Sequence, residues 1–533
     1  MPPQASDVQL VVQPGLARLS NERPDPAGRP VVQPAAVAAD AAPEPAPTAS
    51  ELRQPHVLVV GGGVAGLQMA RMLDAGGVRV TLAEASDRLG GKVRAHVVGG
   101  IALDAGAESF ATRRGTIAAL AAELGLADKL VTPAGAGAWL QPRTGPAVPL
   151  PRGGLLGIPS VPLARDVIRV VGLRGALRAQ LDSLMPGSVG STDHSLGALV
   201  RKRMGAAVLD RLVTPVASAI HSHHPDELDV DIVAPRVRTA MLREGSLARA
   251  VLTMRSSAPA GSAVQGLSGG LFQIAEALER AVSGRIEIRR NTPVGAIAPA
   301  DAGQQRVTFR DGSKHQFDAV VLATAIDATP ADVTPADATP ADATPSNARP
   351  AAAALHGAPR SLRDGASITL ATLVLDAPAL DAAPRGSGVI VAAGAPGIRA
   401  KALTHATAKW AWLREAADGK HVVRLSYEIA PATDAELREL ARCDSAALLG
   451  VALAPADVVA FDRTTWPGAS SGDSPSRHGM GPTLAPGVST PFGIVHIGER
   501  VAGTGLQAII AHATETAEKL IHDLADQPGL RLS

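Results

Sequence analysis

Val57-Leu58-Val59-Val60-Gly61-Gly62-Gly63-Val64-Ala65-Gly66-Leu67 is the stretch that decides the fold. Four apolar residues, three of them β-branched, read as a buried strand. Three glycines follow, and a helical pattern over 64–75 opens directly behind them. A G-x-G-x-x-G spacing between a strand and a helix suits a dinucleotide. Gly61 allows the tight turn, Gly63 lets the backbone approach a pyrophosphate, and Gly66 lets the helix lie close on the strand. Gly62, Val64 and Ala65 complete a helix N-terminus whose free N–H groups face the phosphates.

Working outward, a second strand over 78–83 ends at Glu84, 18 residues after Gly66, with Ala85 behind it. An acid at this place accepts hydrogen bonds from ribose hydroxyls and disfavours a 2′-phosphate, hence NADP. Arg88-Leu89-Gly90-Gly91-Lys92 then resembles the R-x-G-G-[RK] extension of FAD-containing amine oxidases and their relatives. The resemblance implies that Gly91 and Lys92 continue along an FAD pyrophosphate, and it separates the chain from NAD dehydrogenases.

Composition sets the frame. At about 150 residues per domain, 533 residues suggest three to four domains. An apolar share of 46% supports a large core. Lys plus Arg is 51 against 50 for Asp plus Glu, so no nucleic-acid partner is expected. Only eight of the cations are lysine, and that bias with the alanine excess reads as a GC-rich genome. The lone Cys443 excludes a disulfide framework and a Cys-rich metal site, and is expected to be a small apolar filler. No run of 18 apolar residues and no secretory signal are seen, so the expected compartment is the cytoplasm.

The chain divides by pattern. Residues 1–54 read as a disordered leader, and a Thr-Pro-Ala-Asp repeat marks 329–349 as a low-complexity insertion. Strands are expected at 57–60, 78–83, 286–290, 318–323, 368–375, 421–429 and 494–497. Helices are expected at 64–75, 115–125, 270–282 and 506–521, with an Arg- and Leu-rich helical block over 160–255. Mixed helices and strands give an α/β fold.

Longer matches narrow the family. Gly99 to Phe110 resembles the segment before the flavin in protoporphyrinogen and coproporphyrinogen oxidases, with Ala107 at a common proline. Leu120 to Val131, Val148 to Gly154 with Leu156 to Pro159, Leu212 to Asp229, Leu267 to Leu271, Asp318 to Ala325, Trp466-Pro467 and Ile497-Gly498 follow in the family's order. The resemblance covers about 55 to 525. It implies a Rossmann-type FAD domain assembled from 55–130, 265–328 and 490–525, a sheet-based substrate domain from 131–154 and 350–489, and a helical domain over 155–264. It also implies that Gly106, Ala107, Glu108, Ser109, Val294, Trp466, Gly503, Thr504 and Gly505 contact noncovalent FAD.

The implied reaction removes six electrons from a porphyrinogen in three two-electron steps of heme biosynthesis, with molecular oxygen as acceptor and hydrogen peroxide as by-product. Coproporphyrinogen III is preferred because high-GC Gram-positive members use that route; protoporphyrinogen IX is the runner-up. An amine oxidase, a carotene desaturase and a non-catalytic flavin scaffold are the remaining readings. Peripheral membrane contact through the helical block and transient contact with other heme-pathway enzymes follow from the same resemblance. No catalytic base is assigned. Arg113, Arg114, Lys129 and Arg152 are considered as carboxylate partners, and each is expected to be a solvated charge. His221, His223 and His224 are expected in a polar loop, with no metal. Glu108 either borders the flavin or holds its loop through backbone N–H groups.

Overall fold

The computed structural model describes residues 52–112, 115–135, 137–221, 223–256, 264–324, 367–466, 493–503 and 505–533, and elements are counted among these. The repeat at 329–349, most of the leader, Arg113, Arg114 and Thr504 lie outside the described residues. The described residues begin at Leu52, within the stretch expected as leader. The Arg53 guanidinium pairs with Asp318, and Gln54 Nε2 donates to the Gly77 carbonyl at 3.0 Å.

Five strands form one sheet in the spatial order Glu287–Arg289, Arg79–Ala83, His56–Val60, Ala319–Leu322 and Ile494–His496. Every neighbouring pair is parallel. The central runs are continuously apolar because both faces are covered. Helices Val64–Ala75, Gln273–Val282 and Leu506–Ala525 cover one face through Leu67, Leu73, Ile274, Leu278, Ile510 and Leu520. An antiparallel meander, Val294–Pro299, Gln305–Phe309 and Lys314–Phe317, covers the other through Val307, Phe309 and Phe317. Strand order reverses at His56–Val60, so its C-terminal end lies at the switch point where such sheets bind ligands.

A second sheet runs in the order Val458–Trp466, Ile368–Leu375, His421–Tyr427, Ala402–His405, Gly388–Val391, Trp139–Gln141 and Val148–Pro149. Its two faces differ. Leu373, Leu375, Val423, Leu425 and Tyr427 pack with Leu437, Ala441 and Leu448 of helix Asp434–Leu449. On the other face Val374 and Val422 pack with Trp410 and Leu413, and beside them Thr372 stands opposite both Arg424 and Asp462. Cys443 lies on the outer side of that helix and is exposed, its thiol donating toward Glu439. The expectation of an apolar filler is therefore wrong: the helix buries Leu437, Ala441, Asp444 and Leu448 on its opposite side.

The helical block forms its own core, with Leu199, Met204, Leu212, Met241 and Val251 among the buried residues. Inside it Arg203 and Asp182 are a buried ion pair. Asp182 also accepts from Ser246 Oγ at 2.6 Å and Ala248 N at 2.8 Å, and Arg203 donates to Pro186 O at 2.7 Å and Gly245 O at 2.9 Å. Those bonds satisfy both charges where water cannot. His221 ends helix Thr214–His221 and does not lie in a loop; His223 and His224 follow it, beside Glu227 and Asp226. Among the described residues no helix is long and apolar enough to cross a membrane.

Candidate functional site

The glycine turn is built as the spacing requires. Gly61 has φ +104°, and its N–H donates to Ala83 O at 2.7 Å, fastening the turn to the second strand. A Cβ on Gly66 would lie 1.9 Å from Gly61 O, whereas a Cβ on Gly63 would meet nothing within 4 Å. The close approach is thus internal at Gly66 and open at Gly63. Gly63 is the N-cap of helix Val64–Ala75; no side chain caps it, and no acid stands in the first turn. The first amides therefore have no intrahelical partner and present a partial positive charge. This cradle fits a dinucleotide pyrophosphate.

Glu84 lies beside the turn. Its Oε2 accepts from Gly62 N at 2.7 Å, and its Oε1 accepts from Ser86 N at 2.9 Å and Ser86 Oγ at 2.8 Å. Ala85 is exposed beyond it. The Gly90-Gly91 segment folds back on the turn, with Gly90 N donating to Gly62 O at 2.8 Å and Gly91 at φ +58° lying against Gly63. Lys92 reaches Glu499 at 2.6 Å, joining this segment to the C-terminal one. Gly498 brings that segment to Ala65: a Cβ there would lie 3.9 Å from the alanine methyl. Gly503 and Gly505 are exposed in open space. Val294 starts the meander, two residues after Thr292, whose N–H donates to Glu84 O at 2.9 Å.

The second half of the site is the turn 105–109. Gly106 lies against the Lys92 carbonyl, where a Cβ would be 2.3 Å from the oxygen. Trp466 Nε1 donates to Ala105 O at 3.0 Å, and the Arg94 guanidinium stacks 4.8 Å from the Trp466 ring centre. Ala107 is exposed. Glu108 is gripped by two cations: Lys409 Nζ at 2.7 Å on Oε1 and Arg424 Nη1 at 3.3 Å on Oε2. Lys409 also approaches Ser109 Oγ at 3.4 Å. Burial alone would raise the Glu108 carboxyl; the Lys409 and Arg424 charges outweigh it and hold the group below its usual range. Side-chain cations therefore fix Glu108, not backbone N–H groups. Neighbouring Asp104 does take that backbone role, accepting from Leu271 N at 3.0 Å and Phe272 N at 2.8 Å. Burial, opposed by those bonds, pushes its carboxyl up to about 6.

Lys409 and Arg424 were not singled out in the sequence. The signal available was the alternation at 421–427, which places a cation among apolar residues on a buried strand. Of the candidate carboxylate partners, Arg152 is exposed and Lys129 bonds Gln273 Oε1 at 2.5 Å.

The model of the flavin containing amine oxidoreductases matches residues 64–519. The coproporphyrinogen III oxidase of Mycobacterium leprae (strain TN) is 30% identical over 490 residues, 88% of this chain and 98% of that protein. The coproporphyrinogen III oxidase of Propionibacterium freudenreichii subsp. freudenreichii is 29% identical over 432 residues, 74% of this chain and 76% of that protein. Among solved structures, a protein of Exiguobacterium sp. 255-15 provisionally named protoporphyrinogen oxidase aligns with TM-score 0.68 at 23% identity, covering 89% of this chain and 100% of its own. At that identity the likeness speaks for the fold. The open glycine cradle, the acid beside it and a match that begins within the glycine helix and runs to its C-terminal partner agree: the chain belongs to the flavin containing amine oxidoreductase family.

Proposed function

We propose that this enzyme oxidises coproporphyrinogen III to coproporphyrin III, removing six electrons with three molecules of oxygen as acceptor and releasing three of hydrogen peroxide. The observation that carries the reading is similarity to a coproporphyrinogen III oxidase along 98% of that protein's length. Noncovalent FAD is the cofactor we infer, and when bound it supplies a two-electron acceptor. The five-stranded sheet and its helices form the FAD-binding part in this reading, and the seven-stranded sheet the substrate-binding part. The chain's own residues bind and orient. First-turn amides at Val64 and Ala65 hold the pyrophosphate, Glu84 the ribose, and the 105–109 turn borders the ring. Val294, Trp466, Gly503, Thr504 and Gly505 complete the inferred contacts.

Protoporphyrinogen IX is the alternative substrate. The deciding assay follows the fluorescence of coproporphyrin III and protoporphyrin IX as each reduced substrate is supplied at equal concentration, with and without oxygen. We expect a higher kcat/KM for the tetracarboxylate and a ratio that shrinks as salt screens partly exposed charge pairs over about 8–10 Å. Preference for protoporphyrinogen IX at every ionic strength would reassign the substrate. Turnover without oxygen or an added acceptor would reject the acceptor. Acid precipitation should leave the protein pellet colourless; colour retained there would reject noncovalent attachment.

We place peripheral membrane contact on Leu173, Leu177, Leu181 and Leu184. These are exposed at one-turn spacing among Arg169, Arg174 and Arg178. An apolar stripe flanked by cations suits an anionic lipid surface. Sedimentation with anionic vesicles tests it, and no binding at low salt would remove it. We infer cytoplasmic residence and only transient contact with other enzymes of the pathway, testable by fractionation and crosslinking.

A further inference from the structure

Three side chains hold the 105–109 turn: Lys409, Arg424 and Trp466. Trp466 and Arg424 lie on strands of the seven-stranded sheet, and Lys409 ends the short helix Ala406–Lys409 that follows its strand Ala402–His405. The turn therefore takes its position from that sheet, although its backbone lies against Lys92 of the glycine-rich side. Arg424 makes the most specific of these contacts. Its Nη2 donates to Gly106 O at 2.8 Å while Nη1 reaches Glu108, so one planar fork fixes a carbonyl and a carboxylate two residues apart. The side chain is 8% exposed.

The same guanidinium belongs to a row across the sheet. Thr404, Arg424, Thr372 and Asp462 stand side by side on four neighbouring strands. Further along that face Ser426, Leu370 and Thr464 are half-buried, so the face opens as it leaves Arg424. A substrate lying there would press on the sheet that sets the turn.

We propose that Arg424 is a positioning residue that transmits the placement of the substrate-side sheet to the flavin-bordering turn, through the Gly106 carbonyl and the Glu108 carboxylate. The inference rests on the reading of 105–109 given above. A lysine cannot reproduce the fork, because an ammonium on a flexible stem lacks its fixed pair of donors. Loss of the charge leaves Glu108 with Lys409 alone and Gly106 O without its side-chain donor. Misplacement of about 1 Å near the reacting atoms costs on the order of a hundredfold in rate.

The test uses the full-length holoenzyme with Arg424→Lys and Arg424→Met, each checked for full flavin loading. Arg424→Lys should lower kcat by about ten- to a hundredfold with KM within about twofold. Arg424→Met should in addition shift the visible flavin spectrum and lower its midpoint potential, since a buried positive charge has been removed. Should the methionine variant fail to fold, the kcat-against-KM split of the lysine variant decides. A wild-type kcat in the lysine variant would overturn the proposal. Spectrum and potential are read without substrate, so a wrong substrate assignment leaves them interpretable. A wrong placement of the turn would show as a spectrum unmoved in either variant.

Discussion

Gly66 lies under the carbonyl of Gly61 so closely that a methyl group would sit 1.9 Å from the oxygen, while the same group on Gly63 would stand in open space. Two glycines of one motif thus serve different ends. Gly66→Ala should be overpacked, losing about 1–3 kcal/mol or more of stability. Gly63→Ala should fold with a near-normal melting temperature and lose flavin, because its methyl would occupy the pyrophosphate's approach. Thermal melts of both variants, with flavin content measured after desalting, check the split. Equal melting temperatures would contradict it.

Glu84 joins the second strand to the glycine turn through Gly62 N. Glu84→Ala should weaken FAD binding by roughly ten- to a hundredfold, the equivalent of about 1.5–3 kcal/mol for hydrogen bonds to a charged acceptor. Titration of apoprotein with FAD measures it. An unchanged dissociation constant would return Glu84 to a role in the turn alone.

Arg203→Met should be among the costlier single changes in the helical block. Asp182 would stay buried and charged without its partner, at a cost of about 3–5 kcal/mol. Replacing both residues with apolar ones of similar volume should recover much of that loss. Urea denaturation of the single and double variants distinguishes the two cases, and a single variant as stable as the parent would dismiss the pair.

His405 is 1% exposed and bonds His421, which in turn bonds Asp381. Burial, then the neighbouring His421 and Arg414, lower its pKa to about 4. A histidine depressed from about 6.5 is neutral in the fold and protonated in the unfolded chain between those values. Its stabilising contribution is therefore full above about pH 6.5 and is lost as pH falls to about 4, amounting to about 3 kcal/mol. His405→Gln should flatten the acid limb of the stability profile, leaving the slope from His56, which burial also lowers to about 4. Urea midpoints taken between about pH 7 and 4.5 test this; parallel profiles for parent and variant would refute it.

The parallel sheet was legible because its central strands, His56–Val60, Arg79–Ala83 and Ala319–Leu322, are almost wholly buried and rich in apolar residues. The helix 64–75 was expected at its observed bounds, since glycines mark both ends. The seven-stranded sheet was only partly legible. Val458–Trp466 holds Asp462, Arg463 and two threonines, so apolar periodicity does not reveal it. Asp462 bonds His96, and Arg463 on the other face bonds the carbonyls of Pro431, Ala432 and Thr433. Glu84 and the glycines could be named because neighbours in sequence define their chemistry. Lys409 and Arg424 could not, because they meet Glu108 across about 300 residues of chain and only the sheet register brings them together.

The central strand His56–Val60 pairs with Ala319–Leu322, which pairs with Ile494–His496. The near end of the last strand follows Val60 by 434 residues, from 60 to 494. During synthesis at about 5–20 residues per second, the first strand waits roughly 20–90 s for the last to be made. Through that interval the glycine turn exists without the edge that closes its sheet, and its apolar residues must be shielded by other means. A nascent chain stalled short of 490 should therefore engage chaperones and resist flavin loading, and release of the final segment should be the event that commits the cofactor site.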